Sequence, residues 1–135
     1  MADPSAPAPA ANPPVGDAVV RVSTKPSDAN AYGDIFGGWL LVQMDEAAGL
    51  MASRRTRGRT VTVAIDGMQF LSPVRVGDEV SVFGEIVRTG RSSLHIHIQA
   101  WRRERHGEQG NKVTEATFVF VAVDDEGRPR PIEKE

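Results

Sequence analysis

The sequence contains no cysteine. Disulfides, cysteine-ligated zinc, iron–sulfur clusters and thiol catalysis are excluded with it, and a reducing compartment fits. Basic excess is also lacking: 16 Lys and Arg stand against 18 Asp and Glu, for a formal net charge of -2. Binding nucleic acid requires neutralising phosphates with a clear basic surplus, so no nucleic-acid partner is expected. No uninterrupted apolar run is long enough to span a bilayer, and residues 1–16 (MADPSAPAPAANPPVG) have neither the basic start nor the apolar stretch of a secretory signal. The expectation is a soluble, cytoplasmic protein with no membrane partner. Phosphate-loop, zinc-protease, nucleophile-elbow and EF-hand patterns are missing as well.

What remains is one domain's worth of chain, 135 residues with 40% hydrophobic and 25% charged side chains. Alternating Pro and Ala in residues 1–16 cannot bury enough surface to offset ordering entropy, so that segment reads as a disordered tail. Residues 17–132 read as a single domain and 133–135 as a C-terminal tail.

Within the domain the hydrophobic pattern alternates between two periodicities. Ala18–Ser23 looks like a short strand, and Lys25–Asp34 is a loop rich in turn residues. Ile35–Arg55 is rich in Ala, Leu and Met, free of proline and closed by arginines, which predicts a helix stopped near Gly58. Four strands follow at Thr60–Phe70, Glu79–Arg88, Ser93–Trp101 and Val113–Val123, with Gly67 a candidate bulge. Ser93–Trp101 alternates most cleanly: Leu94, Ile96, Ile98 and Ala100 share one face, and Ser93, His95, His97 and Gln99 the other. One helix against an antiparallel sheet is an α+β layer architecture. Since the helix is apolar nearly all round, it should be buried, with the sheet curled about it.

Two acids interrupt that helix. Asp45 is expected beside Leu41, Met44, Ala48 and Ala52, where a carboxylate is costly unless paired or used, which makes it the candidate catalytic acid. Glu46 shares its face with Gln43, Ala47 and Leu50 and fits a surface residue equally well, which leaves Asp45 the better catalytic candidate. The glycines at 33, 37 and 38 open the helix. They either bring a ligand oxyanion close to free backbone amides or simply let the helix start and pack tightly. His95 and His97 lack a third ligand at metal spacing and read as an exposed polar face. Arg54, Arg55, Arg57 and Arg59 follow the helix, either compensating its C-terminal dipole or meeting a phosphate-bearing ligand.

The run Pro26-Ser-Asp-Ala-Asn-Ala-Tyr-Gly-Asp-Ile-Phe-Gly-Gly-Trp-Leu40, then Gln43-Met44-Asp45, resembles the hot-dog-fold acyl-CoA thioesterases of the YciA type. Gly58–Ala64, Asp66-Gly67-Met68, Val76-Gly77-Asp78, Gly90-Arg91-Ser92-Ser93 and Val113–Phe118 agree in order and spacing, so the similarity covers about residues 18–132. The resemblance implies an antiparallel sheet wrapped around a central helix, and hydrolysis of acyl-CoA to a free acid and CoA. It implies a homodimer as the minimal unit, assembled further into a hexamer (a trimer of dimers) or a tetramer, with the site at the dimer interface. Asp45 takes the place of the family's general base or nucleophile, Asn30 that of a polar active-site residue, and amides near Gly37 and Gly38 would polarise the thioester carbonyl. Thr62 and Gly67 would lie along the pantetheine arm, and Arg88, Gly90, Arg91, Ser92 and Ser93 would contact CoA. No cofactor or metal is implied, CoA being part of substrate and product. Tyr32 departs from the small or amide residue of many relatives. A non-catalytic acyl-CoA-binding module is the alternative. The dehydratases of this fold use a histidine near the helix start, and here none precedes His95.

Overall fold

In the computed structural model, which describes residues 12–135, strand β1 (Val20–Ser23) is followed by helix α1 (Gly37–Thr56). Four long strands come next: β2 (Thr60–Phe70), β3 (Glu79–Thr89), β4 (Ser93–Arg103) and β5 (Gly110–Ala122). They form one antiparallel sheet in the order β1-β3-β4-β5-β2. Of the expected N-terminal tail, residues 1–11 lie outside the described residues.

The alternation in β4 decides which way the sheet faces. Leu94, Ile96, Ile98 and Ala100 are buried against the helix side, while His95, His97 and Gln99 remain partly exposed on the other. β5 contributes Val113, Ala116, Phe118, Phe120 and Ala122 to the same core, and α1 contributes Leu40, Met44, Ala47, Ala48 and Ala52. Small residues on this helical stripe let the backbone approach the sheet. Gly84 of β3 does the same from below: a Cβ there would collide with Met51 Sδ and stand 2.8 Å from Ile98 Cδ1.

Several boundaries differ from the sequence expectation. β4 and β5 extend into the predicted polar loop, because Arg102 pairs with Asn111 and Arg103 with Gly110. The helix begins at Gly37, after Phe36, whose amide is held by the Asp28 carbonyl at 3.2 Å. It ends on Arg57 in the left-handed conformation (φ 54°), with Gly58 donating to Ser53 O, so the helix-terminating position is occupied by arginine. The bulge on β2 is present, with Gly67 at φ +73° inside a register shift between Asp66 and Gln69.

The expectation of a helix buried all round does not hold within one chain. Val42 and Leu50 on α1 are 53% and 58% exposed. The sheet covers one face of the helix, and the opposite face is open. On the sheet's β2 edge, Val61, Val63 and Ile65 are exposed too.

Candidate active site

Asp45 sits at the border between the two faces of α1. Half-buried, it stands apart from the fully buried stripe of Met44, Ala48 and Ala52 on which the sequence reading placed it. A turn of helix advances 100° per residue, so Asp45 faces sideways, towards β2. There the Thr62 hydroxyl donates to Asp45 Oδ1 at 2.7 Å. This pair borders a cavity of about 510 Å³ whose walls include Glu46, Gly49, Leu50, Thr60 and Phe120. Phe120 gives the cavity an apolar wall, and Gly49 leaves room beside it: a Cβ at 49 would lie 3.9 Å from the ring. Thr62 fixes one carboxylate oxygen, and Asp45 itself lines the cavity, where a small reactant can reach it. Such a carboxylate can accept a proton from water or attack a carbonyl carbon.

The helix start offers a second kind of chemistry. Among the described residues, the Gly37 and Gly38 amides have no hydrogen-bond acceptor. Phe70 covers Gly37, its ring 3.1 Å from where a Cβ would stand, whereas nothing lies within 4 Å of that point at Gly38. Two free N–H groups at the positive end of a helix stabilise an oxyanion. Asn30 organises the loop leading to them: its Oδ1 accepts from the amides of Tyr32 (2.8 Å) and Asp34 (3.2 Å). The Tyr32 ring is thereby presented to solvent, 89% exposed.

The structure does not bring all the sequence-nominated residues together in one chain. Asp45 and Thr62 meet; Asn30, Gly37 and Gly38 do not line their cavity. Arg88, Gly90, Arg91, Ser92 and Ser93 border neither this cavity nor a larger one of about 770 Å³ at the C-terminal end of α1. The turn is stitched into the fold instead: Gly90 N donates to Ser93 O, Ala122 N to Ser92 O and Ile132 N to Arg91 O. Sequence reasoning assigned Thr62 to the pantetheine path and missed its contact with Asp45. The available signal was that Thr60 and Thr62 alternate with Val61 and Val63, which puts both hydroxyls on one strand face.

On the outer face of the sheet, His97 Nε2 and Lys112 Nζ both lie 3.1 Å from Glu115 Oε2. Burial alone pushes the Glu115 carboxyl upward, but hydrogen bonds and charge from Lys112 and His97 outweigh it and hold the group below its ordinary value. The core-facing direction of Ile96 and Ile98 turns the neighbouring histidines away from α1, so neither borders the Asp45 cavity.

Residues 32–108 match the family model of the thioesterase superfamily. The acyl-CoA thioester hydrolase YciA of Salmonella typhimurium is 46% identical over 124 residues, spanning 90% of this chain and 93% of the relative. Among solved structures, the hexameric thioesterase y2039 of Yersinia pestis aligns with a TM-score of 0.86 and 46% identity, over 90% of this chain and 99% of that one. A hexameric hotdog-fold thioesterase of Campylobacter jejuni aligns at 0.81 with 32% identity, over 87% and 91%. The single helix on a five-stranded antiparallel sheet is therefore a hot-dog fold, and the chain belongs to the thioesterase superfamily.

Proposed function

We propose that this protein hydrolyses acyl-CoA thioesters in the cytoplasm, with Asp45 as the catalytic acid residue. The observation that carries the reading is the Asp45–Thr62 pair at the mouth of a cavity, in a fold shared with relatives named as acyl-CoA thioester hydrolases. Water oxygen joins the carbonyl carbon, the C–S bond breaks, and the proton ends on the departing CoA sulfur. The thiolate leaves readily, so a carboxylate and oriented amides supply what the reaction needs, with no metal or cofactor. Asp45 acts either as base towards water or as the nucleophile. Oxygen-18 in the enzyme after a single turnover in labelled water marks direct attack; label in the product alone fits water activation, or an anhydride opened at its acyl carbon.

Spacing argues that a complete site takes two chains. Gly38 and Asp45 are seven residues apart on one helix, about 10 Å along its axis, which is farther than one thioester carbonyl spans. Amides from one copy and the acid from another can meet on the same carbonyl. The exposed Val42 and Leu50 of α1 and Val61, Val63 and Ile65 of the β2 edge supply apolar surface for that second copy. The homodimer is the proposed minimal unit, built up into a hexamer or tetramer.

The test is thiol release from a panel of acyl-CoAs, acetyl to palmitoyl, by wild type and Asp45→Asn. With no cysteine in the chain, every thiol detected comes from CoA. Turnover that collapses in the variant is expected. Equal rates in both would overturn Asp45 as the catalytic group, and tight binding without turnover would favour a binding module.

A further inference from the structure

The turn Arg75–Asp78, closed by the Asp78 amide donating to Arg75 O at 3.0 Å, lies between β2 and β3. It is held more firmly than a surface turn requires. Val76 within it is exposed, yet two of the few buried polar side chains among the described residues, Thr24 and Asp78, are engaged there. The Thr24 hydroxyl donates to Arg75 O at 3.0 Å and to Asp78 O at 2.9 Å. Asp78 Oδ2 accepts from the Arg75 amide at 2.9 Å and from Arg102 Nη1 of β4 at 3.0 Å. The Asp78 side chain is 7% exposed and that of Arg102 19%.

Stability alone does not account for this ion pair. Taking two charges out of water is offset only where further hydrogen bonds complete both partners. Arg102 Nε is buried and has no partner among the described residues. Apolar side chains of similar volume would hold the fold as well. The charges are better explained by where they put the backbone.

That backbone supports the start of α1. Arg75 forms an antiparallel bridge with Asp34, and Val74 O accepts from the Ile35 amide at 2.8 Å. The side chains of Ile35 and Val74 are buried in the same core. Two residues after Ile35 come Gly37 and Gly38 with their free amides. Asn30 and Asp28 shape this loop from within, through Asp34 and Phe36; Val74 and Arg75 tie it to the β2–β3 connection. Amides that stabilise an oxyanion must stand about 2.7–3.1 Å from it, and a displacement of about 1 Å relayed from a distant support can cost about 10²-fold in rate.

We propose that Asp78 and Arg102 are positioning residues: their buried ion pair holds Arg75, and through the Arg75–Asp34 bridge it sets the aim of the Gly37 and Gly38 amides at the thioester carbonyl. The identity of that carbonyl rests on the hydrolase reading; the relay of contacts does not.

A bound carbonyl reports the aim of the amides directly. A ketone analogue of hexanoyl-CoA, with methylene in place of sulfur and carbon-13 at the carbonyl, is bound to each protein and its C=O stretch is read by infrared difference spectroscopy. Hydrolysis of hexanoyl-CoA is measured beside it, per folded molecule. One variant combines Asp78→Ala with Arg102→Met, which removes both charges and leaves neither unpaired. The other, Thr24→Val, loosens the same turn by one hydroxyl. Arg130→Lys, at the opposite end of α1, is the control for lost stability.

In wild type the stretch should fall below its value in water. The double variant should lose most of that lowering, and its kcat should drop about 10- to 100-fold with KM little changed. Thr24→Val should move both readings the same way, with kcat down about two- to tenfold. Arg130→Lys should keep the wild-type stretch and kcat. A wild-type stretch in both turn variants overturns the positioning role, whatever their stability, and so does an equal loss of kcat in Arg130→Lys. If the double variant does not fold, Thr24→Val decides by the same two readings. Turnover by a wild type whose bound ketone is not shifted also overturns the proposal, since the amides then do not meet the carbonyl. A wild type without hydrolysis, whose ketone stretch is lowered and depends on Asp78 and Arg102, would refute the hydrolase reading and keep the positioning role.

Discussion

Thr62 reaches from β2 to the middle of α1 and donates its hydroxyl to Asp45 Oδ1 at 2.7 Å. The strand and helix that carry them are adjacent in sequence, joined by a turn at Arg57–Arg59, so the pair is made by local chain reversal. It ties one carboxylate oxygen to the strand, and Asp45 and Thr62 both line the same cavity.

With Asp45 as the proposed catalytic group, that hydrogen bond predicts a positioning role for Thr62. A hydrogen bond to a charged group contributes about 1.5–3 kcal/mol, so Thr62→Val should lower kcat about 10- to 100-fold. Thr62→Ser keeps the hydroxyl and should recover most of it. A larger effect on KM than on kcat would place Thr62 in substrate binding instead.

The separation of Gly38 from Asp45 predicts complementation between damaged copies. Gly38 lies in the first helical turn, where proline is tolerated, and nothing lies within 4 Å of its absent Cβ. Gly38→Pro should therefore fold, lose one amide donor and fall about 10²- to 10³-fold in rate. Co-refolded with Asp45→Asn at equal amounts, half the dimers should be mixed, each with one intact site. About a quarter of wild-type activity should return. A mixture as inactive as its parts would mean that acid and amides act within one chain.

Acid sensitivity has a local contributor in Glu115. Its carboxyl titrates below the ordinary 4.5, because Lys112 and His97 outweigh the opposing effect of burial. A depressed folded value means that stability is present above the unfolded value and lost as pH falls through the folded one. Glu115→Gln should show a shallower loss of stability below pH 4.5, read as urea midpoints on either side of that value. The pair partners are partly exposed, so the cost of the substitution at neutral pH should stay below about 1 kcal/mol. An unchanged acid limb would remove Glu115 from the account.

Where side-chain periodicity is local, the fold was legible. The inward row of Leu94, Ile96, Ile98 and Ala100 in β4 is buried as its alternation implies, and Gly67 marks the bulge. What escaped depends on partners distant in sequence. Arg102 and Arg103 look like loop until Asn111 and Gly110 pair with them. Asp45 was legible as an acid in an apolar helix, but its direction depends on where β2 lies, and so does the role of Thr62. Helical apolarity all round was read as burial by the chain's own sheet, which covers only one face; periodicity cannot tell cover by the same chain from cover by a second copy.

Arg130 shows how much the polar segment after β5 can hide. Its guanidinium donates to Thr56 O at 3.0 Å, Thr56 Oγ1 at 3.2 Å, Val123 O at 2.9 Å and Arg59 O at 3.2 Å. It thus satisfies a carbonyl at the negative end of α1 and ties that end to the starts of β2 and the C-terminal segment. Gly58 makes the space, since a Cβ there would lie 2.5 Å from Arg130 Nη2. Arg130→Ala leaves several part-buried acceptors unpaired and should cost about 2–4 kcal/mol, seen as a lowered urea midpoint. Arg130→Lys should recover little of this, because an ammonium on a flexible stem cannot reproduce a planar fork. Gly58→Ala should fall in the same direction by displacing the guanidinium, and with Arg130→Ala already in place it should cost less. Additive losses for Gly58→Ala and Arg130→Ala would show that the two residues act separately.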